Sequence, residues 1–535
     1  MSEIRILVAD KIAEPGLELL KKARSEVSFD VREGLSPPEL ARIVGEYDGM
    51  LVRSAVEVTA DVLKRPGRLS AIARAGVGVD NIDVESATRA GIVVLNTPDA
   101  NTVSTAEHTL AMLLALFRRI PDAHAHVRGG QWKRSQFTGD QVAGKTLGVV
   151  GFGRIGRAVA KRALGLDMQV VAFDPFVAGD TALEGAVRLV RSLDELLPQC
   201  DCVTLHASLS DDNRALLGAE QFWRMKRGSR LVNCARGALI DETALAEALK
   251  SGQLAGAAID VYENEPPTGS PLLAAPNVVL TPHLAASTVE AQTAVSVEAV
   301  EVLLAYLLRG EIRSAVNVRS LPAHLSSRER AVVDLMDRMG RVLSAWCEQG
   351  LRAVRVDVFG EGFAKLGETL ARQAVVGLLN PHLDVRINLV NAAEQARQRG
   401  IRLEHGVHAS RDDRGESVTL TIEAPAQPHT IEGTVYTEIG ARILAIDGYR
   451  MEIVPDRHLV LIFNDDRPGV IGLVGQLLGE AGVNIADMAL SRRGKTALML
   501  LKLDAELPDA LRRELESRRP PILSVTTVSL PPLSE

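Results

Sequence analysis

Short apolar runs alternate with helical stretches over the first hundred residues of the chain. Five runs have the length of a buried strand: "IRILVAD", "VSFDV", "GMLVRS", "LSAIARAG" and "GIVVLN". Buried strands separated by helices are typical of a parallel α/β sheet, so this part of the chain is predicted to form one.

A second series of the same kind follows a polar stretch and begins at "TLGVVGFGRIG". Its later strands are "QVVAFD", "CVTLHA", "RLVNCAR", "AAIDVY" and "NVVLTPH". Two long helices flank the series. The first, 104–119, has Ser104 as its predicted N-cap and Glu107 as the capping-box partner, and the second covers roughly 287–309.

The last two hundred residues have a different pattern. The stretch "RSLPAHLSSRE" is typical of a linker, and residues 330–450 are predicted to form an α+β unit. From residue 458 the order is strand, helix, strand, strand, helix, strand, which is the ferredoxin-like order.

Composition limits the possible partners and the compartment. At 535 residues the chain needs several cores, and its net charge of −7 argues against a nucleic-acid or anionic-membrane partner. No apolar run is expected to span a bilayer, and the N-terminus lacks the layout of a signal peptide. Four cysteines give no disulfide framework, so a reduced, cytoplasmic location is predicted.

A glycine-rich turn opens the second series. Gly151, Gly153 and Gly156 have the dinucleotide-binding spacing, directly after a strand and at the start of a helix, and Asp174 ends the next strand. The free N–H groups of such a helix bind a pyrophosphate. Asp174 suits the ribose hydroxyls and repels a 2′-phosphate, so the predicted cofactor is NAD rather than NADP.

Polar side chains stand where four strands of the second series end. They are His206, Arg236, Asp260 and His283, and Glu265 follows Asp260 by five positions. Any one of them could simply cap its strand. Ligands of an open parallel sheet bind beyond the carboxyl ends of its strands, so the four together favour a reaction site.

The residue types at this rim suit the oxidation of a 2-hydroxy acid. That reaction needs a cation for the carboxylate, a base for the hydroxyl proton and a carboxylate that orients the base. Arg236, His283 and Glu265 provide these three groups, so His283 and Glu265 are interpreted as a proton relay.

Several motifs resemble the long form of the D-3-phosphoglycerate dehydrogenase family, within the D-isomer-specific 2-hydroxyacid dehydrogenases. They are "ARAGVGVDNID", "NTPDANTVSTAEHTL", "VNCARGALIDETAL", "AAIDVYENEPP" and "TPHLAAST", and later "INLVNAAEQARQRGI" and "RILAIDGYRMEIVP". The resemblance implies a Rossmann-type NAD domain inserted in a flavodoxin-like substrate domain, then an intervening α+β domain and a ferredoxin-like ACT domain. The implied ranges are 1–98 and 286–317 (substrate), 99–285 (NAD), 318–455 (intervening) and 457–535 (ACT).

The resemblance also implies roles for single residues, and no metal. Arg236 would bind the substrate carboxylate, His283 would be the general acid/base and Glu265 its partner. The implied cofactor-binding residues are Gly151, Gly153, Arg154, Ile155, Gly156, Asp174, His206, Cys234, Ala235, Asp260 and Ala286. The implied substrate-binding residues are Arg53, Ser54, Arg74, Asn101 and Arg134, the last reaching a neighbouring subunit.

The family's reaction is the oxidation of 3-phosphoglycerate by NAD, the first step of L-serine synthesis. The implied assembly is a homo-oligomer, a dimer or tetramer. Asn464, Asp466 and Asn484 would bind L-serine as an effector, although the ACT domain could instead serve assembly alone. Two alternatives stay open for the whole chain: a dehydrogenase for another D-2-hydroxy acid, such as glycerate or 2-hydroxyglutarate, and an NAD-sensing regulator.

Overall fold

The computed structural model describes residues 3–318, 325–347, 350–383, 387–410, 415–425 and 427–533. Much of the predicted linker, residues 319–324, lies outside the described residues. The described residues form four sheets of five, eight, six and four strands, in chain order.

The first sheet is the five-stranded parallel sheet that the opening apolar runs predict. Its elements are β1 (Ile4–Val8), α1 (Glu14–Lys22), β2 (Val27–Val31), α2 (Pro37–Ile43), β3 (Gly49–Val52), β4 (Ala71–Arg74), α3 (Val84–Arg89) and β5 (Val93–Leu95). The strand order β2-β1-β3-β4-β5 is that of flavodoxin-like folds, which confirms the prediction for this part.

The second sheet is preceded by two helices and has a Rossmann-type order. Its elements are α4 (Thr102–Phe117), α5 (Ile120–Arg128), β6 (Thr146–Val150), α6 (Arg154–Leu164), β7 (Gln169–Phe173), β8 (Thr181–Ala182), β9 (Val187–Val190), α7 (Leu193–Leu196), β10 (Cys202–Leu205), α8 (Ala219–Arg224), β11 (Ser229–Asn233), α9 (Glu242–Lys250), β12 (Leu254–Ile259) and β13 (Val278–Leu280). The order is β13-β12-β11-β10-β6-β7-β9-β8, parallel apart from the β8–β9 pair. The topological switch point lies between β6 and β10, where a dinucleotide binds in such sheets.

Helix α10 (Val289–Arg309) returns the chain to the first sheet. By length and composition it could cross a membrane, so the expectation that no run is long enough was wrong for this helix. Its apolar residues Val295, Ala299 and Leu303 are instead buried against the first sheet, as in the core helix of a globular domain.

Helix α4 begins two residues earlier than predicted, with Asn101 rather than Ser104 at the N-cap. The Ser104 hydroxyl lies 2.7 Å from the hydroxyl of Thr288, which is the N-cap of α10. A contact between the two helices that connect the sheets therefore replaces the predicted capping box.

The third sheet is mixed and the fourth antiparallel. Their elements are α11 (Ser327–Ser344), β14 (Ala353–Phe359), α12 (Gly367–Leu379), α13 (Ala392–Gln398), β15 (Arg402–His408), β16 (Ser417–Glu423), β17 (Pro428–Tyr436), β18 (Gly440–Ile446), β19 (Tyr449–Ile453), β20 (His458–Asp465), α14 (Val470–Glu480), β21 (Ile485–Arg493), β22 (Thr496–Leu503), α15 (Asp509–Ser517) and β23 (Ile522–Ser529). The fourth sheet has the order β21-β22-β20-β23, which confirms the ferredoxin-like prediction.

The third sheet unit contacts both of its neighbours. The Asn388 side chain donates to the Gly91 carbonyl at 2.6 Å, and Val390 is buried in the core of the first sheet. On the other side, Leu461 and Leu500 of the fourth sheet are buried in the core of the third. The fourth sheet is thus connected by packed residues, through the third sheet unit, to the first sheet.

A buried arginine joins the third and fourth units. Arg338 on α11 is 1% exposed, and its guanidinium donates to the carbonyls of Pro455 at 3.0 Å and Pro531 at 2.6 Å. It also pairs with Asp334, one turn earlier. One side chain therefore holds the start of the fourth unit and the C-terminal tail together.

Candidate active site

The glycine turn after β6 has the geometry that a bound dinucleotide needs. Gly151 has φ +90°, which favours glycine, and a Cβ at Gly156 would lie 2.1 Å from the Gly151 carbonyl oxygen. A Cβ at Gly153 would meet nothing within 4 Å, so the start of α6 is open to a ligand. Arg154 and Ile155 form the first turn of α6, whose free N–H groups face the same opening. The residues present fit a pyrophosphate.

Asp174 stands at the end of β7, beside this turn. One carboxylate oxygen accepts from the Phe152 N–H at 2.8 Å and the other from the Phe176 N–H at 2.9 Å. The carboxylate is therefore fixed at the adenosine end of the groove. Pro175 and Phe176 beside it offer no cation for a 2′-phosphate, which agrees with a preference for NAD.

His283 and Glu265 form the pair that the sequence predicts. Nδ1 of His283 lies 2.8 Å from Oε2 of Glu265, and the other oxygen of Glu265 accepts from the Tyr262 N–H at 3.2 Å. His283 has φ +55°, a left-handed conformation that turns its side chain out of the strand end. Because Nδ1 is engaged, Nε2 is the atom that can exchange a proton with a ligand.

Arg53 and Arg74 at the strand ends of the first sheet and Arg236 from the second sheet are near enough for their charges to interact. Burial, and then the positive charges of Arg236 and Arg53, lower the pKa of Arg74. Like charges held this close repel each other, and a ligand with two anionic groups relieves the repulsion. The arrangement favours a small phosphorylated or dicarboxylic acid.

Arg236 is held in part by Asp80, to which the sequence analysis assigned no role. Its Nε donates to Oδ2 of Asp80 at 3.1 Å and its Nη1 to the Ala235 carbonyl at 2.8 Å. The guanidinium lies on Gly78, where a Cβ would be 1.8 Å from Nη2. Both Gly78 and Asp80 lie in the quoted motif "ARAGVGVDNID", so the signal was present without an assigned role.

Three predicted cofactor residues lie behind the rim: His206 is half-buried, and Cys234 and Asp260 are buried. Burial lowers the pKa of His206 to about 3 and raises the pKa of the Cys234 thiol to about 12, so both side chains are neutral. Asp260 is fully buried, and its role in binding the cofactor stays a prediction. Its oxygens already accept from Thr281, Leu284 and Ala285.

The remaining predicted residues differ in how well they are placed. Ser54 is exposed just beyond β3, and Ala286 is half-buried between the His283 loop and α10. Oδ1 of Asn101 is buried without a partner, so a donor from a ligand or from another chain could satisfy it.

Arg134 lies away from the cleft of its own chain, so the prediction that it reaches the substrate of a neighbouring subunit stays a prediction. It begins the turn Arg134–Phe137, where the Gln136 carbonyl accepts from Arg119 at 2.8 Å. Arg119 follows the far end of α4, whose 16 residues extend roughly 24 Å from the cleft.

The three predicted effector residues lie at two ends of the fourth sheet. Asn464 is 3% exposed near the end of β20, and Asp466 pairs with Arg492 at 3.3 Å. Asn484 precedes β21 and donates to Asp504 at 2.6 Å. One copy of the sheet separates Asn484 from the other two, because Asn464 pairs with Ala497 whereas β21 begins opposite Leu503.

Family models match three parts of the chain. Residues 110–285 match "D-isomer specific 2-hydroxyacid dehydrogenase, NAD binding domain", residues 329–447 match "D-3-phosphoglycerate dehydrogenase intervening domain", and residues 458–519 match "ACT domain".

Known proteins resemble the chain over nearly its whole length. The D-3-phosphoglycerate dehydrogenase of Bacillus subtilis (strain 168) is 37% identical over 530 residues, covering 98% of this chain and 100% of the relative. That of Archaeoglobus fulgidus is 40% identical over 506 residues, covering 94% of this chain and 95% of the relative. Among solved structures, a glyoxylate reductase from Paecilomyes thermophila superimposes with a TM-score of 0.55 at 31% identity, covering 59% of this chain and 99% of that one.

Proposed function

We propose, since this chain belongs to the D-3-phosphoglycerate dehydrogenases of the D-isomer specific 2-hydroxyacid dehydrogenase family, that it oxidises 3-phospho-D-glycerate to 3-phosphooxypyruvate with NAD. The observation that carries the proposal is the pairing of His283 with Glu265 at 2.8 Å on a rim that also presents Arg236. Arg53 and Arg74 stand at the ends of β3 and β4 of the first sheet, and Asp80 of the same unit joins that sheet to Arg236 on the rim.

In the proposed mechanism His283 is the base. Nε2 accepts the proton of the C2 hydroxyl, and the Glu265 carboxylate stabilises the imidazolium that results. NAD bound in the groove would supply the acceptor for the hydride from C2, so that the alcohol would lose two electrons and become a ketone. In the reverse direction His283 returns its proton to the carbonyl oxygen.

The substrate's two anionic ends suit two groups of arginines. Arg236 suits the C1 carboxylate, because this carboxylate must lie next to the carbon whose hydroxyl faces His283. Arg53 and Arg74 suit the phosphate, two bonds further from the reacting carbon. Ser54 and Asn101 offer additional hydrogen bonds at the same mouth.

The cofactor groove is proposed to extend from the Gly151–Gly156 turn to the rim. Gly151, Gly153, Arg154, Ile155 and Gly156 would hold the pyrophosphate and Asp174 the adenosine ribose. The nicotinamide end of the cofactor would contact the backbone of His206, Cys234, Ala235 and Ala286. Asp260 acts there through the loop that it supports.

The reaction is proposed to be the first step of L-serine synthesis. The domain ranges are proposed as the resemblance implies them: 1–98 and 286–317 for substrate, 99–285 for NAD, 318–455 for the intervening domain and 457–535 for the ACT domain.

The experiment that tests the proposed reaction is NADH formation by the purified chain with 3-phosphoglycerate, D-glycerate and D-2-hydroxyglutarate as parallel substrates. The proposal expects the highest kcat/KM with 3-phosphoglycerate. A preference for an unphosphorylated acid would favour the alternative dehydrogenase, and NAD binding without turnover would favour a sensor.

Self-association is proposed from the exposed apolar surface next to α4. Helix α5 has no buried residue in the described chain, and Ile120 and Val127 on it are each 53% exposed. Trp132 just beyond it is 77% exposed. A second copy would cover these side chains, and Arg134 in the same segment could then approach the partner's cleft.

L-serine is proposed as the amino-acid effector of the ACT domain. Two β21 edges paired antiparallel would bring Asn484 of one copy to the end of the other sheet, where Asn464 and Asp466 lie. Amide and carboxylate groups suit the ammonium, carboxylate and hydroxyl of serine.

The cytoplasm is proposed as the compartment, because all four cysteines are free and the reaction uses metabolites of that compartment.

A further inference from the structure

Asp260 accepts the hydrogen bonds that fix the loop carrying His283. Three consecutive N–H groups of the loop donate to Asp260: His283 to its carbonyl at 2.8 Å, Leu284 to Oδ1 at 2.8 Å and Ala285 to Oδ2 at 2.9 Å. These bonds fix the left-handed backbone of His283, since its φ of +55° is otherwise costly for a residue with a Cβ.

His108 on α4 reaches the same carboxylate from another element. Its Nε2 lies 3.2 Å from Oδ1 of Asp260, and its side chain is 20% exposed. Thr281 stands between them, donating to Asp260 at 2.5 Å and lying 3.4 Å from Nε2 of His108. A fully buried carboxylate needs such donors, because an unpaired buried charge is strongly destabilising.

We propose that His108 is a positioning residue for the oxidation: by donating to Asp260 it keeps the support of the His283 loop ionised and correctly placed. His108 touches neither substrate nor cofactor in this scheme, and it acts through Asp260 on the geometry of His283. The inference rests on the proposed function, since it assigns a residue to the same reaction.

The charges around Asp260 agree with this role. Burial would raise the pKa of Asp260, but the hydrogen bonds from His108, Thr281 and Leu284 outweigh it and hold the pKa below its ordinary value. The titratable groups facing Asp260 are His108 from α4, the neutral Cys234 from β11 and Tyr262 on its own loop. Loss of His108 therefore removes the largest of the interactions that lower the pKa of Asp260.

A metal is the alternative reading of the same cluster. His108, Cys234 and Asp260 offer ligand atoms within 4.8 Å of one another. The hydrogen atoms donated by Thr281, Leu284 and Ala285 already face the carboxylate oxygens, which leaves a cation little access to them. The geometry favours a hydrogen-bonded support.

The test compares His108→Leu, His108→Gln and Glu107→Gln in the full-length chain. Glu107 is the exposed neighbour on the same helix and serves as the control, with wild-type values expected throughout. His108→Leu should lower kcat about 10- to 100-fold, the usual effect of a small misplacement of a reacting group, with KM for 3-phosphoglycerate and NAD affinity changed less than about twofold. His108→Gln keeps a donor and should recover part of kcat.

The pH profile separates positioning from simple structural support. Without His108 the pKa of Asp260 should rise, so its carboxylate would protonate at higher pH. The acid limb of the pH profile of kcat/KM should therefore move to higher pH in His108→Leu. Hydrogen exchange gives a second measurement that needs no activity: the N–H groups of residues 283–285 should exchange faster in His108→Leu than in Glu107→Gln, by more than any fall in the thermal midpoint explains.

Unchanged kcat, acid limb and exchange in His108→Leu would overturn the proposal, as would equal losses in both His108 variants. Activity that chelation with EDTA abolishes and zinc restores would identify a metal site instead. Failure of the proposed function is a separate result: the wild type would then oxidise no 3-phosphoglycerate, and the exchange measurement would still decide the role of His108.

Discussion

Oδ2 of Asp80 accepts a hydrogen bond from Nε of Arg236 at 3.1 Å, across the cleft between the first two sheets. Arg236 follows β11 of the second sheet, whereas Asp80 follows β4 of the first. Asp80 thus orients Arg236, the residue proposed to bind the substrate carboxylate, only when the two sheets face each other. We expect the closed arrangement of the cleft to be the one that binds substrate productively.

Asp80→Asn should lower kcat/KM for 3-phosphoglycerate about tenfold, because a neutral amide orients the guanidinium less firmly than a charged partner. The loss should be the same for hydroxy acids with and without a phosphate, since Arg236 serves the carboxylate common to them all. The measurement is steady-state kinetics with both kinds of substrate. Asp61→Asn, which removes an exposed carboxylate paired with Lys64, is the control. A loss confined to the phosphorylated substrate would assign Asp80 to the phosphate side.

His283→Ala should lower kcat about 10²- to 10⁴-fold with little change in NAD affinity, because the hydroxyl proton then has no acceptor. Glu265→Gln keeps a hydrogen bond to Nδ1 but removes the charge, so its loss should be smaller. Turnover numbers and NAD titrations of both variants provide the check. Near-full turnover of His283→Ala would remove His283 from the mechanism.

Asp174→Ala should narrow the preference for NAD over NADP. The ribose loses its carboxylate partner, and the 2′-phosphate loses the charge that repels it. Absolute NAD affinity should fall as well, since the Phe152 and Phe176 N–H groups lose their acceptor. The measurement is the ratio of kcat/KM with NAD to kcat/KM with NADP, in the wild type and in Asp174→Ala. Asp180→Ala, which changes an exposed carboxylate of the same region, is the control. An unchanged ratio would mean that another residue recognises the ribose.

Asn484→Ala should weaken inhibition by L-serine while leaving uninhibited turnover intact. Serine can affect the cleft only by favouring one arrangement of the units over another, because Asn484 precedes β21 of the fourth sheet, in a different unit from the reacting groups. Activity is measured against serine concentration, and Gln398→Ala removes an exposed amide elsewhere as the control. Wild-type activity that stays flat up to millimolar serine would leave the ACT domain as an assembly module or the sensor of another ligand.

The parallel sheets and the central pair of the site could be predicted from the sequence. Apolar runs separated by helices fix the sheet type, and the strand ends that carry Arg236, Glu265 and His283 must then meet at one rim. This reasoning uses only local pattern and the geometry of parallel strands, so it does not depend on distant partners.

Residues that act through distant partners could not be predicted in this way. Asp80 and Arg236 are 156 positions apart, and nothing in either neighbourhood indicates the other. The capping box at Ser104 failed for the same reason, because its hydroxyl contacts Thr288, 184 positions away. His108 was visible only as one of several polar residues in the N-terminal half of α4.

Arg338 limits how this chain can be divided for experiments. Its buried guanidinium depends on carbonyls from Pro455 and from Pro531, which is four residues from the C-terminus. A truncation that removes residues 457–535 would take the Pro531 carbonyl away from that buried charge, leaving it with Pro455 and Asp334. It would also expose the apolar face of the third unit that packs against Leu461 and Leu500. Loss of serine response in such a fragment would be confounded by damage to the remaining protein. Point substitutions, and affinity tags placed at the N-terminus, keep the chain intact for the measurements proposed above.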